Sequence, residues 1–147
     1  MGQQTIVVGT DGSQTAERAV EKAGELALAL GVPVHVVISC RTPTGVWMAA
    51  AGGVAVPDAG DNERELAHAE EIVSRARARL AQDGVEAHTH VCQGEPADAL
   101  TTIAHSEDAQ MIVVGNRGMS GARRVLGSVP NRVSHTARCA VLIVPTG

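Results

Sequence analysis

Short apolar runs recur along the chain, and each is bounded by glycine, proline or polar residues. They are rich in valine and isoleucine, as is typical of strands that are buried on both faces of a sheet. Four such runs are residues 5–9, 34–38, 111–114 and 140–144. Residues 85–91 differ, because apolar and polar positions alternate there and place Glu86, His88 and His90 on one face. That alternation predicts a half-exposed strand at an edge of the sheet.

Segments with helical periodicity separate these predicted strands. Ser13 can cap a first helix whose apolar residues recur at three- and four-residue intervals as far as Leu30, and Gly31 ends it. The other predicted helices are residues 61–82, a helix that begins at Glu95-Pro96, and residues 128–137. Residues 42–60 show no period, and they predict a loop that either folds over a site or frays.

The alternation of strands and helices predicts one α/β domain over residues 1–147, with a doubly wound parallel sheet and helices on both faces. Ligands bind such sheets at the carboxyl ends of the strands, where the strand order reverses. Thr10-Asp11-Gly12-Ser13 follows the first strand, and a glycine-rich segment follows the fourth. We therefore expect these two segments to lie at the same edge of the sheet.

Composition narrows the class of protein. Hydrophobic residues make up 44% of the 147 residues and charged residues 19%, which is typical of a globular domain. The formal net charge of −4 argues against a nucleic-acid-binding protein. No segment reaches transmembrane length or resembles a signal peptide, so we expect no membrane association. Cys40, Cys92 and Cys139 show neither metal-ligand nor disulfide spacing, which favours the cytoplasm.

The glycine-rich segment predicts a phosphate-binding site. Gly115-Asn116-Arg117-Gly118 follows a buried strand, and Gly127-Ser128 opens the last helix. Glycines let backbone amides approach a ligand, and a helix N-terminus adds unpaired donors and the positive end of a dipole. Arg123 and Arg124 lie between the two glycine pairs, where they either neutralise phosphates or are ordinary surface residues.

Other candidate residues keep two interpretations. Asp11 either contacts a ribose, a base or a metal ion, or serves as a turn residue. Ser128 either donates to a phosphate or caps its helix. His88 and His90 have metal-compatible spacing but no apparent third ligand, so a solvated edge strand is the favoured interpretation. No general base is evident near the glycines, and we expect no efficient catalysis.

The chain resembles the universal stress protein family. The residues that carry the resemblance are the segment from Ile6 to Ser13, the glycines Gly115 and Gly118, the triplet Gly127-Ser128-Val129, and the closing Val141-Leu142-Ile143-Val144-Pro145. The ATP-binding branch has the pattern G-x2-G-x9-G-[S/T], whereas this chain has eight residues between Gly118 and Gly127. The resemblance implies a flavodoxin-like (Rossmann-like) fold with five parallel strands in the order 3-2-1-4-5.

The resemblance also implies a ligand and its contacts. Asp11 would contact the adenosine part, and Ser39 would line the adenine pocket. Ribose and phosphates would be surrounded by Gly115, Arg117, Gly118, Gly127, Ser128 and Val129, with Thr10, Gly12, Val114 and Pro130 beside them. The implied ligand is ATP, with Mg²⁺ as its counterion, or cAMP as in some relatives.

The resemblance finally implies a regulatory role in a stress response and a homodimer formed through the last strand, Val141 to Val144. Two alternatives stay open: a non-catalytic interaction module with a vestigial nucleotide loop, and a slow ATPase.

Overall fold

The computed structural model describes residues 4–40, 59–116 and 128–145. These ranges hold five strands and four helices in alternation. In chain order they are β1 (Thr5–Gly9), α1 (Gln14–Leu30), β2 (Val34–Cys40), α2 (Ala59–Gln82), β3 (Ala87–Gln93), α3 (Pro96–Ser106), β4 (Ala109–Gly115), α4 (Ser128–Thr136) and β5 (Ala140–Val144).

The five strands form one parallel sheet in the order β3-β2-β1-β4-β5. This confirms the predicted doubly wound α/β fold and the flavodoxin-like strand order. β1 lies at the centre, where Val8 pairs with Val36 of β2 and with Val113 of β4. The predicted edge strand β3 does lie at one edge, and β5 lies at the other.

The core is divided by the sheet into two layers. On one face, Ile6 and Val8 pack with alanines of α1 and with Val73 and Leu80 of α2. On the other face, Val7 and Ile112 pack with residues of α3 and α4, among them Leu100 and Val133. The chain contains no Phe or Tyr, so small side chains fill both layers. At Gly24 of α1, an added Cβ would lie 2.7 Å from Cδ2 of Leu80, which shows how closely α1 approaches α2.

Several element bounds differ from those predicted. α2 begins at Ala59, two residues before the predicted start, and β3 covers Ala87–Gln93 instead of residues 85–91. The amide of Val85 donates to the carbonyl of Leu80 at 2.9 Å, and Gly84 has a φ of 81°. These contacts hold Val85 in the turn that ends α2, so β3 begins later. The predicted loop 42–60 lies outside the described residues except for its last two positions.

Three further features of the described ranges relate to expectations from the sequence. No helix there is long and apolar enough to cross a bilayer. Cys40, Cys92 and Cys139 are all free thiols, with Cys40 buried and the other two half-buried. Ser13 caps α1 as predicted, because its Oγ accepts the amide of Ala16, and Gly31 closes the helix in the left-handed conformation.

Truncating a leucine between α1 and α2 tests this packing. Leu80 is 2% exposed, so Leu80→Ala should lower the free energy of unfolding by about 2–5 kcal/mol through lost burial and a cavity. Leu28→Ala is the matched control, since Leu28 is 59% exposed and its truncation should change stability by less than about 0.5 kcal/mol. Urea denaturation measures both, and equal losses in the two variants would contradict the packing described for Leu80.

Candidate functional site

The candidate site lies where the chain leaves β1 and β4 in opposite directions. These strands are neighbours at the centre of the sheet, but β1 leads into α1 on one face and β4 leads toward α4 on the other. A crevice forms between two such connections at the carboxyl ends of parallel strands. The structure therefore brings Thr10 to Gly12 and Gly115 to one edge, as the sequence predicted.

The segment after β1 forms a tight, hydrogen-bonded turn. The Thr10 amide donates to the Val37 carbonyl at 3.0 Å and so fixes the start of the turn to β2. Thr10 Oγ1 accepts the amide of Gly12 at 3.2 Å, and Asp11 Oδ1 accepts the amide of Ser13 at 2.9 Å. Asp11 is exposed and serves as a turn residue, one of its two interpretations. Its other carboxylate oxygen makes no hydrogen bond within the described ranges.

Gly12 is required at the centre of this turn for two reasons. Its φ is +83°, a conformation that side chains other than glycine rarely adopt. An added Cβ would also lie 2.7 Å from Cδ1 of Ile72 in α2. The turn that presents Asp11 therefore packs directly against Ile72 of α2. The hydrogen bond from the Thr10 amide to the Val37 carbonyl joins the same turn to β2.

Ser39 lies at the carboxyl end of β2, at the same edge of the sheet. Its hydroxyl donates to the Gly94 carbonyl at 2.6 Å, and the Gly94 amide donates to the Cys40 carbonyl at 2.9 Å. The side chain thus closes the end of the β2–β3 pair. Burial raises the pKa of the Cys40 thiol, with Glu65 adding to the effect, and burial also raises the pKa of Cys92. Both thiols therefore remain neutral beside Ser39.

The end of β4 supplies backbone rather than side chains. Val114 is 4% exposed and packs in the core against α3 and α4, so only its backbone could reach a ligand. Gly115 is half-buried and pairs with Val144, and the Asn116 amide donates to the Val144 carbonyl at 3.0 Å. The predicted site residues Arg117, Gly118 and Gly127 lie outside the described residues, as do Arg123 and Arg124.

The first turn of α4 completes the edge. Because β4 and β5 are parallel, α4 must run back from their carboxyl ends, which places its amino terminus at the same edge. Ser128 is exposed, Val129 is half-buried and Pro130 is buried. Arg132, one turn further, lies 3.2 Å from Asp98 of α3 through its Nη2 and Oδ1 atoms. The guanidinium of Arg132 is therefore already paired with a carboxylate.

The arrangement offers a carboxylate, hydroxyls and backbone amides around one crevice. Such groups bind and orient a polar ligand, and an exposed helix start favours a negative one. In the parts of the chain that the structure describes, no group of three or more His, Cys, Asp and Glu side chains is placed to hold a metal ion.

Sequence reasoning missed one residue of chemical interest. His35 lies near the amino end of β2, away from the candidate site. Its side chain is 6% exposed, and its Nδ1 lies 2.8 Å from Nε2 of His90 in β3. β3 is an edge strand and His88 is exposed, as expected, whereas His90 is half-buried and bonds to His35. His35 sits within an apolar run, and only the pairing of β2 with β3 brings it beside the other two histidines. The remaining signal was a polar residue in an otherwise apolar strand.

Known proteins of similar sequence and structure align with this chain over nearly its whole length. Universal stress protein Rv1636 of Mycobacterium tuberculosis is 37% identical over 145 residues, which cover 97% of both chains. A crystal structure of a universal stress protein in complex with cAMP is 32% identical, covers 100% of both chains and has a TM-score of 0.70. A universal stress protein from Archaeoglobus fulgidus in complex with dAMP is 31% identical, covers 97% of this chain and 98% of its own, and has a TM-score of 0.72.

A family model gives the same result independently of any single relative. The model of the universal stress protein family matches residues 3–145, from just before β1 to just after β5. Together with the strand order and the relatives aligned over nearly the whole chain, this match establishes that the chain belongs to the universal stress protein family.

Proposed function

We propose that this protein is a regulatory module of the stress response that binds an adenine nucleotide at the carboxyl edge of its sheet. The observation that carries the proposal is that two universal stress proteins, 32% and 31% identical to this chain, have structures in complex with cAMP and with dAMP. Each aligns with nearly the whole chain. Both ligands combine adenine, a sugar and one phosphate.

The geometry of the edge supports this proposal. The carboxylate of Asp11 is exposed, and one of its oxygens is already engaged by Ser13. The other oxygen is a natural acceptor for a ribose hydroxyl or for the amino group of adenine. Gly115 and the start of α4 supply the backbone and the dipole end that favour a phosphate. We infer that the sugar lies beside Asp11 and the phosphate beside Gly115 and Ser128.

The preferred nucleotide is the finer part of the proposal. The motif resemblance favours ATP accompanied by Mg²⁺, with Gly118 and Gly127 at its phosphates, whereas the two ligand-bound relatives favour a monophosphate or cyclic ligand. Ser39, Val129 and Pro130 would enclose the base and the ribose. We retain the cytoplasmic location expected from the sequence, and binding rather than turnover is the role we propose.

Replacing the carboxylate of Asp11 tests the sugar contact. In Asp11→Asn, the amide oxygen can still accept from Ser13, but an NH₂ group replaces the second acceptor oxygen. The affinity for the preferred nucleotide should fall about tenfold or more, because a hydrogen bond to a charged group contributes about 1.5–3 kcal/mol. Isothermal calorimetry with ATP, ADP, AMP and cAMP measures the affinities of wild type and variant.

The matched control is Asp83→Asn. Asp83 is also exposed and also in a turn, but it follows α2 at the opposite edge of the sheet. Its replacement should leave nucleotide affinity unchanged. If folded wild-type protein shows no saturable heat with any of the four nucleotides at millimolar concentration, the proposed function is wrong and the interaction module without a nucleotide takes its place.

Branched side chains at Gly118 and Gly127, the two later glycines of the motif, test the phosphate contact separately. Gly118→Val and Gly127→Val would each put bulk where the backbone is proposed to approach phosphate. Each should abolish nucleotide binding, and circular dichroism should show an unchanged fold. Wild-type affinity in both variants would mean that the phosphate binds elsewhere.

We also propose that two copies associate through β5. This strand lies at an edge of the sheet and carries Val141, Leu142 and Ile143, all of which are half-buried in one chain. It has no partner strand on its outer side within the described residues. An apolar edge of this kind favours pairing with another strand. Antiparallel pairing with the same strand of a second copy, about a two-fold axis, would satisfy its backbone groups.

A charge on β5 should break this association. Leu142→Lys should shift the protein from dimer to monomer at about 50 µM, because a lysine in the interface would lose its hydration. Leu28→Lys, on the exposed side of α1, is the matched control and should stay dimeric. Multi-angle light scattering gives the masses. A monomeric wild type, or a folded Leu142→Lys that stays fully dimeric, would contradict the interface.

A further inference from the structure

Three histidines stack against one another on β2 and β3, whereas the candidate nucleotide site lies at the carboxyl ends of the strands. His35 and His88 are the second residues of β2 and β3, and His90 lies at the middle of β3. The ring centroid of His35 is 4.9 Å from that of His88 and 5.0 Å from that of His90, with interplanar angles of 23° and 29°. The cluster therefore joins the edge strand β3 to its neighbour through side chains as well as through the backbone ladder.

The contact between His35 and His90 holds a single proton. Nδ1 of His35 and Nε2 of His90 are 2.8 Å apart, so one nitrogen must donate and the other must accept. Nε2 of His35 is 3.7 Å from a carboxylate oxygen of Glu107, which favours a proton on that nitrogen. The Nδ1 atom of His35 then accepts from His90. If both rings carry a charge, two N–H groups face each other and the contact is lost.

The surroundings of the pair oppose protonation. Burial lowers the pKa of His35 and of His90 below the ordinary value of 6.5, and the neighbouring histidines lower both further. Glu107, at the end of α3, acts in the other direction on both, and Glu86, just before β3, does so on His35. Arg77 of α2 faces the same cleft, which has a volume of about 620 Å³. Thr5 and Pro33 add no charge to its wall.

Lowered pKa values link this contact to pH. A histidine released from the cluster binds a proton more readily than one held within it. The stability that the neutral pair contributes is therefore complete above about pH 6.5, and it is lost as the pH falls through the lower pKa values of the folded protein. Acid should favour the state in which the two rings have separated.

We propose that His35 and His90 form an acid-sensitive clasp that holds β3 on the sheet and releases it when both rings become protonated. β3 suits this role because it is an edge strand, bound within the described residues to β2 alone among the strands. The rings of His35 and His90 already bond to each other, so no metal ion is needed to account for their contact.

Hydrogen exchange on the full chain tests the clasp. Amides of β3 and of the central strand β1 are followed by NMR between about pH 7.5 and 5, with intrinsic exchange rates divided out. Below about pH 6.5, opening of β3 should increase up to about tenfold per pH unit for each proton taken up, while β1 keeps its protection. An unchanged ratio of β3 to β1 protection across this range would overturn the proposal.

Two glutamine variants separate the clasp from ordinary histidine titration. His90→Gln keeps an amide that can bond to Nδ1 of His35 but cannot be protonated, so the pH dependence of β3 opening should become flatter. His68→Gln removes an exposed histidine of α2 outside the cluster, and its profile should match that of wild type. Equal profiles for wild type and His90→Gln would also overturn the proposal.

Two further measurements keep the test decisive if His90→Gln does not fold. Imidazole NMR of the wild type should show His35 and His90 titrating in coupled steps below pH 6.5. Independent titration of the two at the ordinary value would contradict the clasp. The exchange experiment is repeated with EDTA, and a loss of β3 protection at neutral pH that depends on the chelator would identify a metal site instead.

Discussion

The structure depends on the complete burial of β1 between two helix layers. Ile6, Val7 and Val8 have no exposed surface, and they alternate between the two layers of the core. β1 runs parallel to both of its neighbours, so the connections between strands cross over the sheet as helices, and these helices cover both of its faces. Because β1 itself is buried, polar residues are found only after the strand ends, and Asp11 is exposed there. The candidate site follows from that constraint.

The order of elements could be predicted because strands and helices of this chain have different patterns of apolar residues: short continuous runs in strands, and three- and four-residue intervals in helices. Strands buried on both faces, such as residues 34–38, differ clearly from the helical spacing before Leu30. Bounds were predicted less well, since they depend on single hydrogen bonds. The amide of Val85 bonds back to α2, and no local pattern distinguishes that valine from the first residue of a strand.

Within the candidate site, too, the features set by local sequence could be predicted, and those set by contacts between distant residues could not. Asp11 and Gly12 could be recognised because a turn after a buried strand has its own residue preferences. The contact between Gly12 and Ile72 could not, because it joins the turn to a helix sixty residues later. His35 was missed for a related reason. Only the parallel register of β2 and β3 sets His35 opposite His88, and a single sequence carries no record of that register.

The two edges of the sheet are chemically unlike, and this difference limits how copies of the chain can assemble. The β3 edge carries histidines with Glu86 beside them, whereas the β5 edge carries a run of aliphatic residues. Identical chains that pair through one edge form a closed pair, since each uses up the same surface. Growth into a continuous sheet would require both edges to be adhesive. If two copies pair through β5 as proposed, the polar side chains of the β3 edge would oppose the addition of further strands, and with it the growth of a fibre.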